Sequence, residues 1–114
     1  MIEIAPLKKL DSNISVPGSK YIANRVLMIA ALAKGTSIIK NVPDNEDINT
    51  TITALKKFGV EITQQKDTLE ILGTAGNLTA PKEEINVNNS GTLMRFLVGF
   101  ASLADGKTTI TGTK

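Results

Sequence analysis

The chain has 114 residues, enough for one compact domain, and 41% hydrophobic against 21% charged residues argues for a soluble globular protein over a disordered or fibrous one. With no Cys and no His, disulfides, zinc ribbons, thiol nucleophiles, catalytic triads and imidazole bases are excluded, so any chemistry falls to Lys, Arg, Asp, Glu, Tyr or the backbone. A net charge of +2 and 4% aromatic residues are too little for a nucleic-acid footprint and leave a small anionic ligand open. The longest apolar stretch, Val26 to Ala33, is far short of the ~20 residues that span a bilayer, and Met1-Ile2-Glu3 opens no signal sequence, so a cytoplasmic location away from membranes is expected.

In chain order, Ile14-Ser15-Val16 alternates as a short strand does, and a Pro-Gly-Ser turn follows. Ile22, Val26, Ile29, Ala30 and Ala33 then mark one stripe of a helix, before Gly35 and a strand near Ile39. Asp44 and Asp47 resemble a helix N-terminus, Ile48, Ile52 and Leu55 its stripe, and Gly59 its C-terminal cap. Val60-Glu61-Ile62 and Leu69-Glu70-Ile71 alternate about the polar Gln64 to Asp67 and predict a hairpin, with a loop from Gly73 to Pro81.

A shift of 71 residues then lays the chain on itself without a gap: Ile14 falls on Ile85, Val16 on Val87, Val26 on Leu97, Ala33 on Ala104, Gly35 on Gly106 and Ile39 on Ile110. The repeat predicts an α/β fold of βαβαββ units, one full and a second ended after its second strand. A unit cut there lacks half of its core, so the sequence reads as part of something longer.

Chemistry is sought at the two helix starts. In Pro17-Gly18-Ser19-Lys20-Tyr21, unpaired backbone N–H groups and the positive helix end favour an anion, Lys20 adds a cation, and Arg25 stands before an apolar run where it needs an anion or water. The alternative is a solvated Lys and a snorkelling Arg; the Walker pattern is absent. The second start, Asn88-Asn89-Ser90-Gly91-Thr92 with Arg95, has the same ingredients, although Asn, Ser and Thr are also ordinary caps. Asp44 to Asp47 reads as capping rather than metal binding, and no metal or other cofactor is expected.

Val16-Pro17-Gly18-Ser19-Lys20 with Asn24-Arg25, then Asn89-Ser90-Gly91-Thr92 with Arg95, resembles the N-terminal part of the 5-enolpyruvylshikimate-3-phosphate (EPSP) synthases. The resemblance implies the enolpyruvyl transferase fold, an inside-out α/β barrel of two domains with three βαβαββ units each. It also implies transfer of the enolpyruvyl group of phosphoenolpyruvate to the 5-hydroxyl of shikimate 3-phosphate, in aromatic amino acid biosynthesis. By matching position, Lys20 is the catalytic residue and touches both substrates. Tyr21 and Arg25 then lie at shikimate 3-phosphate, Asn89 and Gly91 at phosphoenolpyruvate, and Thr92 and Arg95 support that loop. Residues 1–16 would cross to the other domain and 17–114 form part of the first, in a monomeric full-length protein whose remainder brings the main acid and base groups; the 114 residues alone would be inactive. Tyr21 and Ala23 stand where hydroxyl residues are usual, Asn88 where Gly is common, and Phe96 where Pro is common. The alternatives are a UDP-N-acetylglucosamine enolpyruvyl transferase, reminiscent in Asn41-Val42-Pro43, and a stand-alone anion-binding or interaction module.

Overall fold

A run without Gly or Pro, rich in Ala, Leu, Ile and Met, forms helix α1 (Lys20–Leu32) in the computed structural model, which describes residues 1–6 and 8–113. Strand β1 (Lys34–Ile39), helix α2 (Glu46–Lys57) and the hairpin β2 (Glu61–Gln65) and β3 (Thr68–Thr74) follow. The three strands make an antiparallel sheet in the order β1-β3-β2. The register pairs Ile39 with Leu69 and Ile62 with Ile71, and these side chains face α1 and α2. Glu70, Leu72 and Ile38 point to the opposite, open face.

Helix α1 is anchored at its C-terminal end. Its last carbonyls lack partners within the helix, and the end of β3 supplies them: the Thr74 hydroxyl donates to the Ala31 carbonyl at 2.8 Å and the Ala75 N–H to that of Ala33 at 2.9 Å. This approach requires Gly73, where a Cβ would stand 2.2 Å from the Ala33 oxygen.

The second half is a small βαβ unit. Strand β4 (Ile85–Asn86) leads into helix α3 (Gly91–Ala101), and β5 (Ile110–Thr111) returns parallel to β4. Its core continues the first one, with Leu93, Leu97 and Phe100 buried and Phe100 edge-on to Phe58 at 5.2 Å between ring centres. The repeat survives in the backbone: Gly35 and Gly106, matched by the 71-residue shift, have φ of 88° and 127°, and both precede or open a returning strand.

Three expectations are corrected. Ile14 to Val16 is not a strand: Ile14 and Val16 are exposed, and the Val16 carbonyl accepts only a long 3.5 Å bond from the Asn41 side chain. No strand among the described residues lies on the outer edge of β1 to order it, so the first unit begins at its helix. The matched stripe is buried at Leu93, Leu97 and Phe100 of α3, but in α1 only its Ala30 is buried, Val26 and Ala33 are half-buried and Ile22 and Ile29 are exposed, while Ala23, Leu27 and Ala31 outside the stripe face the core. Being apolar on more than one side, α1 left periodicity without a unique inward face. The cap of α2 is Asn45, which accepts from the Ile48 N–H at 3.1 Å, while Asp44 receives the Asn49 side-chain amide. Gly59 closes α2 with φ 88°, and the hairpin turn narrows to Lys66-Asp67, with Lys66 at φ 55°.

Candidate functional site

The loop before α1 is fixed by contact with the segment after β1. At Gly18 a Cβ would stand 1.9 Å from the Asn41 carbonyl oxygen, so the loop can lie on Asn41 to Pro43 only if residue 18 has no side chain. Ser19 occupies the N-cap position of α1 in extended conformation and makes no side-chain capping bond. The amides of the first turn are thereby left to solvent or a ligand, at the positive end of the helix dipole.

Lys20 stands in that first turn. Its ammonium donates to Asp47 Oδ2 at 2.8 Å, with the Tyr21 ring centre 5.3 Å away. The hydrogen bond and charge of Asp47, aided by Tyr21, hold the Lys20 pKa above its usual 10.5 against a smaller opposing effect of desolvation. The side chain remains 43% exposed, open to an incoming anion. Tyr21 points outward. The Arg25 guanidinium folds back toward the helix start, donates to the Tyr21 carbonyl at 2.7 Å and lies over the Phe96 ring at 5.2 Å. Lys20 and Arg25 therefore share the N-terminal end of α1, although each rests on a group of the protein.

The second helix start is built differently. Ser90 caps α3, accepting from the Leu93 N–H at 3.3 Å. The exposed Asn89 accepts the Thr113 hydroxyl at 2.6 Å, and the Gly91 N–H donates to the Asn89 carbonyl at 3.1 Å. Arg95 folds back onto the Gly91 carbonyl at 3.1 Å, and Thr92 is half-buried in the first turn. Here the capping reading applies to Ser90, while the Asn89 side chain remains at the surface.

The first turn of α2 joins the two starts. Asp47 holds Lys20, and its neighbours hold Asn88: the Asn88 amide donates to Glu46 Oε1 at 3.3 Å and to Thr50 Oγ1 at 3.2 Å. Glu46 and Thr50 are one turn apart on one face, with Asp47 beside them. Asn88 has φ 51°, a left-handed backbone that Gly adopts freely and Asn tolerates. A buried link backs this turn: the Thr51 hydroxyl lies 2.6 Å from the Asn24 side-chain oxygen and 2.9 Å from the Asp47 carbonyl, and Asn24 and Thr51 are almost fully buried.

Sequence reasoning passed over Asp47, Asn88, Phe96 and Thr113 as site residues. The Asp44/Asp47 pair carried a signal, but a carboxylate in a first helical turn has the same appearance whether it meets the helix dipole or a lysine 27 positions away. Two surface depressions of about 520 and 550 Å³ are lined by Glu83 and Glu84 and by Asp44 and Glu46, and contain neither Lys20 nor Arg25. Their carboxylates disfavour an anion. Among the described residues no group of three or more carboxylates is placed to hold a metal ion.

The family model described as EPSP synthase (3-phosphoshikimate 1-carboxyvinyltransferase) matches residues 4–114. A 3-phosphoshikimate 1-carboxyvinyltransferase of Methanospirillum hungatei is 44% identical over 99 residues, covering 87% of this chain and 23% of the relative. One from Shewanella piezotolerans is 37% identical over 114 residues, covering 97% and 27%. The solved EPSP synthase of Acinetobacter baumannii superposes with a TM-score of 0.83 at 33% identity, over 88% of this chain and 23% of that one. The repeat-built fold with its two helix starts is thus an α/β enolpyruvyl transferase unit. The chain belongs to the EPSP synthase family, and it spans about a quarter of the length of the curated relatives it matches.

Proposed function

We propose that these residues form the N-terminal substrate-binding part of an enzyme that transfers the enolpyruvyl group of phosphoenolpyruvate to the 5-hydroxyl of shikimate 3-phosphate, releasing phosphate. The supporting observation is the convergence of both helix starts on the first turn of α2, through Lys20–Asp47 and Asn88–Glu46/Thr50. Two polar loops at one end of a rigid helix suit two anionic substrates that must meet at one carbon. Lys20 is the catalytic residue and touches both; its ammonium has three donors, and Asp47 uses one, leaving two. Arg25, with Tyr21 beside it, serves shikimate 3-phosphate; Asn89 and the Gly91 backbone serve phosphoenolpyruvate, with Thr92 and Arg95 supporting their loop.

In the reaction the 5-hydroxyl gives its proton to a base as its oxygen bonds to the central carbon of phosphoenolpyruvate, while the methylene of phosphoenolpyruvate gains a proton from an acid. Loss of a proton from the resulting methyl then expels phosphate and restores the double bond. The chain's cations orient the anions and stabilise negative charge as it shifts. The acid and base are assigned to the remainder of the full-length enzyme, so the 114 residues alone are expected to bind and not to turn over. Residues 1–16 are assigned to a crossover toward the other domain and 17–114 to the first domain; Leu7 and Lys114 lie outside the described residues. The exposed apolar side chains of Met1, Ile2, Ile4 and Leu10 suit a segment that packs elsewhere. A cytoplasmic, monomeric enzyme is the setting inferred, and no helix among the described residues is long and apolar enough to cross a membrane.

An amide-resolved NMR titration of the chain with shikimate 3-phosphate tests the reading, with inorganic phosphate and UDP-N-acetylglucosamine in parallel. Saturable shifts confined to Gly18–Arg25 and selective for shikimate 3-phosphate are expected. Equal response to inorganic phosphate would reduce the site to a nonspecific anion hole, and preference for the nucleotide sugar would move the chain to the other transferase.

A further inference from the structure

The catalytic assignment of Lys20 leaves open what aims its ammonium. A lysine has four side-chain torsions and, in water, no fixed direction, yet two substrates can share it only if its head stays in one place. Among the described residues Asp47 is the one acid facing it: the groups that bear on Lys20 are Asp47 from α2 and Tyr21 from α1. The cap of α2 is Asn45, so the Asp47 carboxylate is not needed to close the helix. Its own backbone is fixed from behind, because the Asp47 carbonyl meets the Thr51 hydroxyl and that hydroxyl meets the buried Asn24 side chain of α1. Carboxylate and ammonium are thus set by the same α1–α2 packing, and the pair is 29% and 43% exposed, at the surface where ligands arrive.

We infer that Asp47 is a positioning residue for Lys20, holding the ammonium between the two helix starts through the Asn24–Thr51 link, and that it acts on the reaction only through Lys20. The inference rests on the reading that Lys20 meets the substrates. A double-mutant cycle in the full-length enzyme tests it, with Lys20→Ala, Asp47→Asn, both together, and Asp47→Glu. Asp47→Asn is expected to lower kcat/KM for both substrates by about tenfold to 100-fold, the scale of a misplaced catalytic group. On the Lys20→Ala background it is expected to do nothing further. Asp47→Glu, which keeps the charge and moves it by one methylene, is expected to restore part of the loss, and it makes the same comparison if Asp47→Asn folds poorly. Equal losses from Asp47→Asn in both backgrounds would make its role merely structural and overturn the inference. A silent Asp47→Asn beside a damaging Lys20→Ala would overturn it as well. A silent Lys20→Ala would instead remove Lys20 from the site, and the inference with it.

Discussion

Residues 18, 20 and 73 show how much of the site depends on single atoms. Gly18 and Gly73 have ordinary backbone angles, and their need for glycine is steric: a Cβ would meet the Asn41 and Ala33 carbonyl oxygens at 1.9 and 2.2 Å. Gly18→Ala and Gly73→Ala are each expected to destabilise the fold by about 1–3 kcal/mol, read as a lower midpoint in urea at unchanged slope. The Lys20–Asp47 pair gives a pH dependence of definite sign. Because Asp47 raises the Lys20 pKa above 10.5, the contribution of the pair to stability is fully present below that value and is lost as pH rises through the raised pKa. Thermal unfolding between pH 7 and 10 is therefore expected to show nothing from Lys20, and Asp47→Asn to flatten a fall that begins only above 10.5. The lysine itself was legible in the sequence from its place at a Gly-Ser helix start. Its partner was not, because contact between positions 20 and 47 depends on how two helices pack.

At the scale of elements, α1 and α3 answer the same repeat in different ways. Periodicity found both helices and the hairpin, since apolar stripes and alternation report local geometry directly. It could not tell which side of α1 faces inward, because Ile22 and Ile29 compete with Leu27 and Met28. The strand expected at Ile14–Val16 needed a neighbour that alternation alone does not supply. The two helix starts also differ in capping: Ser19 makes no side-chain capping bond and Ser90 makes one. Ser90→Ala is expected to cost about 1 kcal/mol of stability and Ser19→Ala close to nothing, measured by chemical denaturation. Asn88→Gly is expected to keep the left-handed turn while releasing the α3 loop from Glu46 and Thr50, raising backbone mobility at Asn89 in NMR relaxation.

Across the whole molecule, the radius of gyration of 17.8 Å exceeds the ~13 Å expected of a compact chain of this length. In the N-terminal arm, Met1, Ile2, Ile4 and Leu10 stand in solvent. Brief trypsin treatment is expected to cut at the exposed Lys8 and Lys9 first and to leave a core that unfolds at the same temperature. Phe58 against Phe100 joins the first unit to the second, and Phe58→Ala is expected to cost about 3–5 kcal/mol and to unfold both together. The outer edge of β1 has a different consequence. Among the described residues no strand pairs with it, and it carries the exposed Ile38, bracketed by Lys34 and Lys40; charged residues at such an edge keep other copies from pairing with it. With a net charge of only +2 on the whole chain, that local repulsion is expected to matter most in dilute buffer, and near 1 M salt, where screening acts within ~3 Å, self-association through this edge is expected to rise, read as a larger mass in sedimentation.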